Sequence, residues 1–117
     1  MLRLLMLKFD FKKDPFLRKL VALFIKEYKP ERIYLFGSKA RGTASAHSDY
    51  DIMIVVPDKS SHKAKQLGRA HKLLWKAGLT EPADVLVWTK SRFESATHLK
   101  ASLPAAVVKE GKLLYAA

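Results

Sequence analysis

The chain has 117 residues, 49 % of them apolar, enough for one modest core; that excludes intrinsic disorder and sets a single domain over residues 1–117 as the expectation. Lysine and arginine number 22 against 11 aspartates and glutamates, so the net charge is +11 and an acidic partner is favoured: a nucleotide, a nucleic acid, an anionic surface or an acidic protein. Without cysteine there is no disulfide framework, no thiolate metal site and no cysteine nucleophile.

Met1 to Phe9 is apolar but interrupted by Arg3 and Lys8, and is too short for a secretory leader. No stretch is long enough to span a bilayer, so the expectation is a soluble, cytoplasmic protein with no membrane partner. Asp14-Pro15 then starts a helix, with aspartate as cap and proline at the first helical position. Phe16, Leu17, Leu20, Val21, Phe24, Ile25 and Tyr28 recur at one-face spacing, and Pro30 ends the element. Arg32 to Phe36 reads as a strand apolar on both faces, hence interior to a sheet, and Gly37-Ser38 breaks it. A small-residue loop, Gly42 to Ser48, leads to a second strand, Asp51 to Val56, stopped by Pro57-Asp58.

Ser60 and Ser61 can cap a long helix running to about Ala77, with Leu67, Ala70, Leu74 and Trp75 as its buried face and Gly78 as its stop. Ala83 to Trp88 is a third strand. Ser91-Arg-Phe-Glu94 matches a capping box and opens another helix. Residues 103–110 form a further short helix ended by Gly111, and Lys112 to Tyr115 supply an edge strand. The order predicts an α/β (α+β) layer protein: a small mixed β-sheet flanked by helices.

One constellation carries chemistry. Residues 31–60 are electrically neutral within a basic chain. They hold Gly37-Ser38, then ten residues, then Asp49-Tyr50-Asp51. Residues two apart on a strand share a face, so Asp49 and Asp51 present two carboxylates side by side. Such like charges repel unless a cation sits between them, and hard oxygen ligands suit Mg²⁺ or Mn²⁺. If the second and third strands are neighbours, Asp84 joins the pair, and three carboxylates can hold the metals of a phosphoryl or nucleotidyl displacement. Gly37 and Ser38 offer a sharp turn, free N–H groups and a hydroxyl for phosphate oxygens. Lys39 and Arg41 add charge where a triphosphate needs it, above all if Lys39-Ala40-Arg41 begins a helical turn. Gly37 to Gly42 is no P-loop, because Thr43-Ala44 stands where lysine and serine or threonine belong.

Leu35 to Val56 resembles the nucleotidyltransferase superfamily that includes DNA polymerase β, whose signature is G-S-x(10)-D-x-D. The small size and the Ala40-Arg41-Gly42 run look like its minimal nucleotidyltransferase branch. Lys39 stands where many relatives carry arginine, which keeps the charge and loses the bidentate fork. The resemblance implies a polymerase β-like core. Gly37 and Ser38 would bind the β- and γ-phosphates of a nucleoside triphosphate, with Asp49, Asp51 and Asp84 holding the metals. Asp84 would also help to deprotonate the attacking hydroxyl. Small relatives of this kind resemble antitoxins paired with a HEPN-domain toxin. The expected activity is transfer of AMP from ATP, with Mg²⁺ or Mn²⁺, to a hydroxyl on such a partner protein. Two other readings stand beside it: a non-catalytic antitoxin that masks its partner, and a nucleotidyltransferase acting on a small molecule, whose acceptor pocket needs a further domain or a homo-oligomer.

The remaining signals are weaker. Lys65, Arg69, Lys72 and Lys76 recur at helical spacing and read as a solvated face rather than a docking stripe. No aromatic interleaves them on the same face, so stacking on single strands is unsupported and a nucleic-acid partner stays a possible but unsupported reading. His47, His62, His71 and His98 lack metal-ligand spacing and read as surface or turn residues. Ser48 either orients Asp49 or caps a turn. The R-x(5)-H spacings at Arg41…His47 and Arg92…His98 read as chance.

Overall fold

The computed structural model describes residues 11–45 and 47–117; Met1–Phe9, discussed above for its apolar character, lies outside them. Asp14 caps helix α1 (Pro15–Tyr28), its Oδ1 accepting from the Leu17 N–H at 3.1 Å, with Pro15 in the first turn. Phe16, Leu17, Leu20, Val21, Phe24 and Tyr28 are buried along one face, while Ile25 is only partly covered. Lys29, in the left-handed region at φ 46°, closes the helix ahead of Pro30.

Four strands form one mixed sheet in the order β3-β2-β1-β4: β1 (Arg32–Phe36), β2 (Tyr50–Val56), β3 (Ala83–Thr89) and β4 (Lys112–Ala116). β1 runs antiparallel to both β2 and β4, whereas β2 and β3 are parallel. The alternation of strand side chains divides the interior in two. Ile52, Ile54, Val56, Val85 and Val87 pack with α1. Met53, Val55, Leu86 and Trp88 pack on the other face with Phe93 and Val107. Those two residues come from α5 (Lys90–Ala96) and α6 (Leu103–Glu110). A one-turn helix, α2 (Gly37–Arg41), links β1 to the loop before β2.

The long helix expected between Ser60 and Ala77 is not one helix. A 3-10 turn (Asp58–Ser60) and α3 (Ser61–Ala64) are followed by a break, and α4 (Arg69–Lys76) restarts beyond it. Gly68 sits at φ 81°, a conformation no α-helix contains and one that glycine adopts without a Cβ penalty. The restart changes the phase of the apolar pattern. Ala70 and Leu74 are buried as expected, but Leu67 is 97 % exposed and Trp75 is 76 % exposed. On this short helix Leu74 takes the inward position, and Trp75, 100° further round, faces outward.

Helix α5 also starts differently. Thr89, not Ser91, is its cap, accepting from the Arg92 N–H at 3.4 Å. Ser91 is held instead by Asp58, whose Oδ1 accepts its N–H at 3.0 Å and whose Oδ2 accepts its hydroxyl. Helix α6 and strand β4 follow the expected pattern, with Ser102 capping Ala105 N–H at 3.1 Å and Gly111 closing the helix. No helix among the described residues is long and apolar enough to cross a membrane.

Candidate active site

The site lies where β1 ends and β2 and β3 begin. β2 and β3 are neighbours, parallel and in register, with Asp51 opposite Asp84 and Tyr50 opposite Ala83. Adjacent strands lie about 4.8 Å apart, and registered residues share a face, so the two carboxylates stand side by side. Phe36, the last residue of β1, pairs with Asp51 from the other side. That register brings the next residue, Gly37, onto the Asp51 carboxylate: a Cβ at Gly37 would lie 3.1 Å from Asp51 Cγ and closer still to Oδ2. Only glycine fits there, and its φ of 73° is also one that glycine favours.

The electrostatics follow from the crowding. Burial pushes the Asp51 carboxyl above its ordinary range; the negative charges of Asp84 and Asp49 push it further, and Arg41 pulls it partly back. The three acids thus meet in one electrostatic neighbourhood centred on Asp51. Asp49, one residue ahead of β2, is exposed, as is Asp84. Among the described residues no three His, Cys, Asp or Glu side chains are gathered closely enough to hold a metal ion. The donor chemistry nonetheless suits a divalent cation: hard oxygens whose mutual repulsion a positive charge would relieve.

Gly37 and Ser38 begin α2, so their N–H groups belong to the turn that has no intrahelical acceptors. Gly42, at φ 76°, closes that turn, its N–H and that of Thr43 both donating to the Ser38 carbonyl. The two cations of this segment diverge. Lys39 Nζ lies 4.3 Å from the Tyr50 ring centroid, a cation–π contact. Arg41 lies 3.6 Å from Glu110 while still acting on Asp51. Ser48 caps its own loop, accepting the Ser45 N–H at 3.0 Å.

The sequence pattern missed Tyr50. Its ring packs on Phe16 at 4.7 Å, and its hydroxyl donates to Asp14 Oδ2 at 2.7 Å. Burial, then the Asp14 carboxylate, raise its pKa far above the usual tyrosine range. Asp14 therefore does two things, capping α1 with one oxygen and tying down the first residue of β2 with the other. An aromatic residue between two aspartates was the available signal. Glu110, the partner of Arg41, carried none.

A family model for the nucleotidyltransferase domain matches residues 17–114, which spans β1 to β4 and all three acids. The chain belongs to that family. Solved structures agree. A toxin–antitoxin with AMP-PNP is similar at 27 % identity and TM-score 0.58, over 86 % of this chain and 73 % of that one. A mutant of the toxin–antitoxin MntA–HpeT is similar at 28 % identity and TM-score 0.57, over 86 % and 72 %. A putative nucleotidyltransferase from Sulfolobus solfataricus shares the fold at 19 % identity and TM-score 0.52, over 86 % and 78 %. None of the curated proteins matches the chain. This nucleotidyltransferase therefore has the mixed sheet flanked by helices that its sequence predicts, and it is similar in fold to chains of toxin–antitoxin structures.

Proposed function

We propose that this nucleotidyltransferase is an antitoxin that transfers AMP from ATP to a hydroxyl on a partner toxin of the HEPN class. The observation that carries the reading is the registered Asp51–Asp84 pair closed over by Gly37. Its similarity to a toxin–antitoxin with AMP-PNP supports an adenine nucleotide and a toxin as partner, and the HEPN class rests on the sequence resemblance.

Asp49, Asp51 and Asp84 would hold a divalent cation, Mg²⁺ or Mn²⁺, which when bound offsets the charge of the carboxylates and the triphosphate. Gly37 and Ser38 bind the β- and γ-phosphates through N–H groups and the Ser38 hydroxyl. Arg41 and Lys39 supply positive charge on the same turn, Lys39 after leaving the Tyr50 ring. The acceptor hydroxyl gives its proton to Asp84 and forms a bond to the α-phosphorus. The bond to the β-phosphate oxygen breaks, and pyrophosphate leaves. Catalysis here is positioning and charge neutralisation.

The test uses ATP labelled at the α-phosphate, Mg²⁺ or Mn²⁺, and the partner toxin. Label on the toxin, absent with Asp51→Asn and with Asp84→Asn, is the expected result. Unlabelled toxin that Asp51→Asn still neutralises would replace transfer by masking.

A further inference from the structure

The transfer site uses only the start of β3. Farther along, the strand forms one edge of the sheet. The Tyr50 N–H donates to the Pro82 carbonyl at 3.0 Å, which sets the alternation: Asp84, Leu86 and Trp88 turn their backbone groups toward β2. Ala83, Val85 and Val87 turn theirs outward. The Ala83 carbonyl accepts from His71 Nε2 at 3.1 Å. Among the described residues, nothing pairs with the outward N–H and C=O groups of Val85 and Val87.

Val85 and Val87 line a cavity of about 160 Å³, bounded by the Gln66–Gly68 break on one side and by Trp88 and Arg92 on the other. Tyr28 lines the same cavity. It is 1 % exposed, and among the described residues no group makes a hydrogen bond of good geometry to its hydroxyl. Arg69 lies over its ring at 4.7 Å and acts on the phenol, partly offsetting the rise that burial imposes on its pKa. A buried hydroxyl without a partner is costly, so one that lines a void beside an unpaired strand edge marks a place for a hydrogen-bonding occupant. A void of about 150 Å³ accepts a benzene-sized group. Among the described residues no acidic side chain lines the cavity, whereas Arg92 and His71 do, on a chain of charge +11. That charge favours an acidic occupant and disfavours a second copy of the chain.

We propose that an extended, acidic segment of the acceptor protein adds a strand to the free edge of β3. It pairs with Val85 and Val87 and seats one side chain against the Tyr28 hydroxyl. Main-chain pairing supplies affinity in such strand addition, and the pocket supplies selectivity. Because Asp84 directly precedes Val85, the paired segment leads to the carboxylates at about 3.3 Å per residue. The proposal deepens the functional reading above and rests on its protein acceptor.

The test reads binding separately from transfer. The isotopically labelled chain is titrated with a synthetic peptide of alternating Glu and Tyr, and with its Lys–Tyr counterpart. Amide exchange at Val85 and Val87 is fast in the free chain and slows by about tenfold or more with the acidic peptide alone. Val87→Pro removes an outward N–H at an edge position where proline is tolerated, and Arg92→Glu reverses the rim charge; each weakens the acidic peptide by about tenfold. Slow exchange already present in the free chain, equal affinity for both peptides, or protection that tracks self-association overturns the proposal. Loss of peptide binding in Val87→Pro with label transfer to the toxin unimpaired also overturns it, leaving the transfer reading standing. Absent label with docking intact removes the transfer reading alone.

Discussion

Asp51 and Asp58 sit at opposite ends of the same strand and live in opposite electrostatic conditions. At the start of β2, burial and the charges of Asp84 and Asp49 raise the Asp51 pKa. Just past the end of β2, hydrogen bonds from the Ser91 hydroxyl and N–H lower that of Asp58. Asp58 is satisfied by what surrounds it: it receives two donors at the start of α5 and ties the loop after β2 to the element after β3. Asp51 is placed against its own interest, because two neighbouring strands and a glycine bring like charges together with too few donors. A carboxylate whose surroundings oppose its charge is held for a ligand, and one whose surroundings favour it is held for the fold.

Substitution should separate the two. Asp51→Asn is expected to lower nucleotidyl transfer by about a hundredfold or more while leaving thermal stability unchanged or raised, since it removes repulsion. Asp58→Asn should do the reverse, keeping transfer and lowering the melting temperature. Paired activity assays and thermal melts read both, and a loss of activity in Asp58→Asn with full stability would break the contrast.

A smaller effect is expected at Gly37. Alanine there meets the Asp51 carboxylate and must hold φ 73°, a cost of about 1–3 kcal/mol by denaturant melt. Gly42→Ala has a similar φ with nothing within 4 Å, so its cost should stay nearer about 1 kcal/mol. Equal losses would mean that the close approach to Asp51 is unimportant.

The acid limb of stability should show both signs. The lowered folded pKa of Asp58 means that its contribution is complete above the unfolded value, about 4, and is lost as pH falls through the folded one. The raised pKa of Asp51 means that its ionised form costs stability above the folded value, a cost relieved as pH falls through it. Urea melts across the acid range should therefore show a shallower acid loss in Asp58→Asn and a steeper one in Asp51→Asn. The smallest effect concerns the Tyr28 hydroxyl in the far cleft, which has no partner of good geometry among the described residues: Tyr28→Phe should raise stability by about 1 kcal/mol, measured by the same melts.

The acidic corner was legible because its signals are local. The ten-residue spacing between Gly37-Ser38 and Asp49, the D-x-D alternation and the strand boundaries all lie within one stretch of chain. The 58–77 segment misled because its apolar and basic residues keep a helical rhythm straight through Gly68. A glycine inside a helical pattern was the warning. The role of Tyr50 was hidden for another reason, since its partners Asp14 and Phe16 lie on another element altogether.

The order of the amino acids by itself determined where the strands and most of the helices form, which residues could carry the chemistry, and that a sharp turn falls at Gly37-Ser38, because these depend on short-range sterics and side-chain periodicity. Only the tertiary structure decided that β3 lies parallel and in register beside β2, that Lys39 rests on Tyr50, and that no described residue pairs with the Val85–Val87 edge. Strand partnership and helix phase are settled by which apolar faces can be buried together, and that is a property of the whole core rather than of any segment.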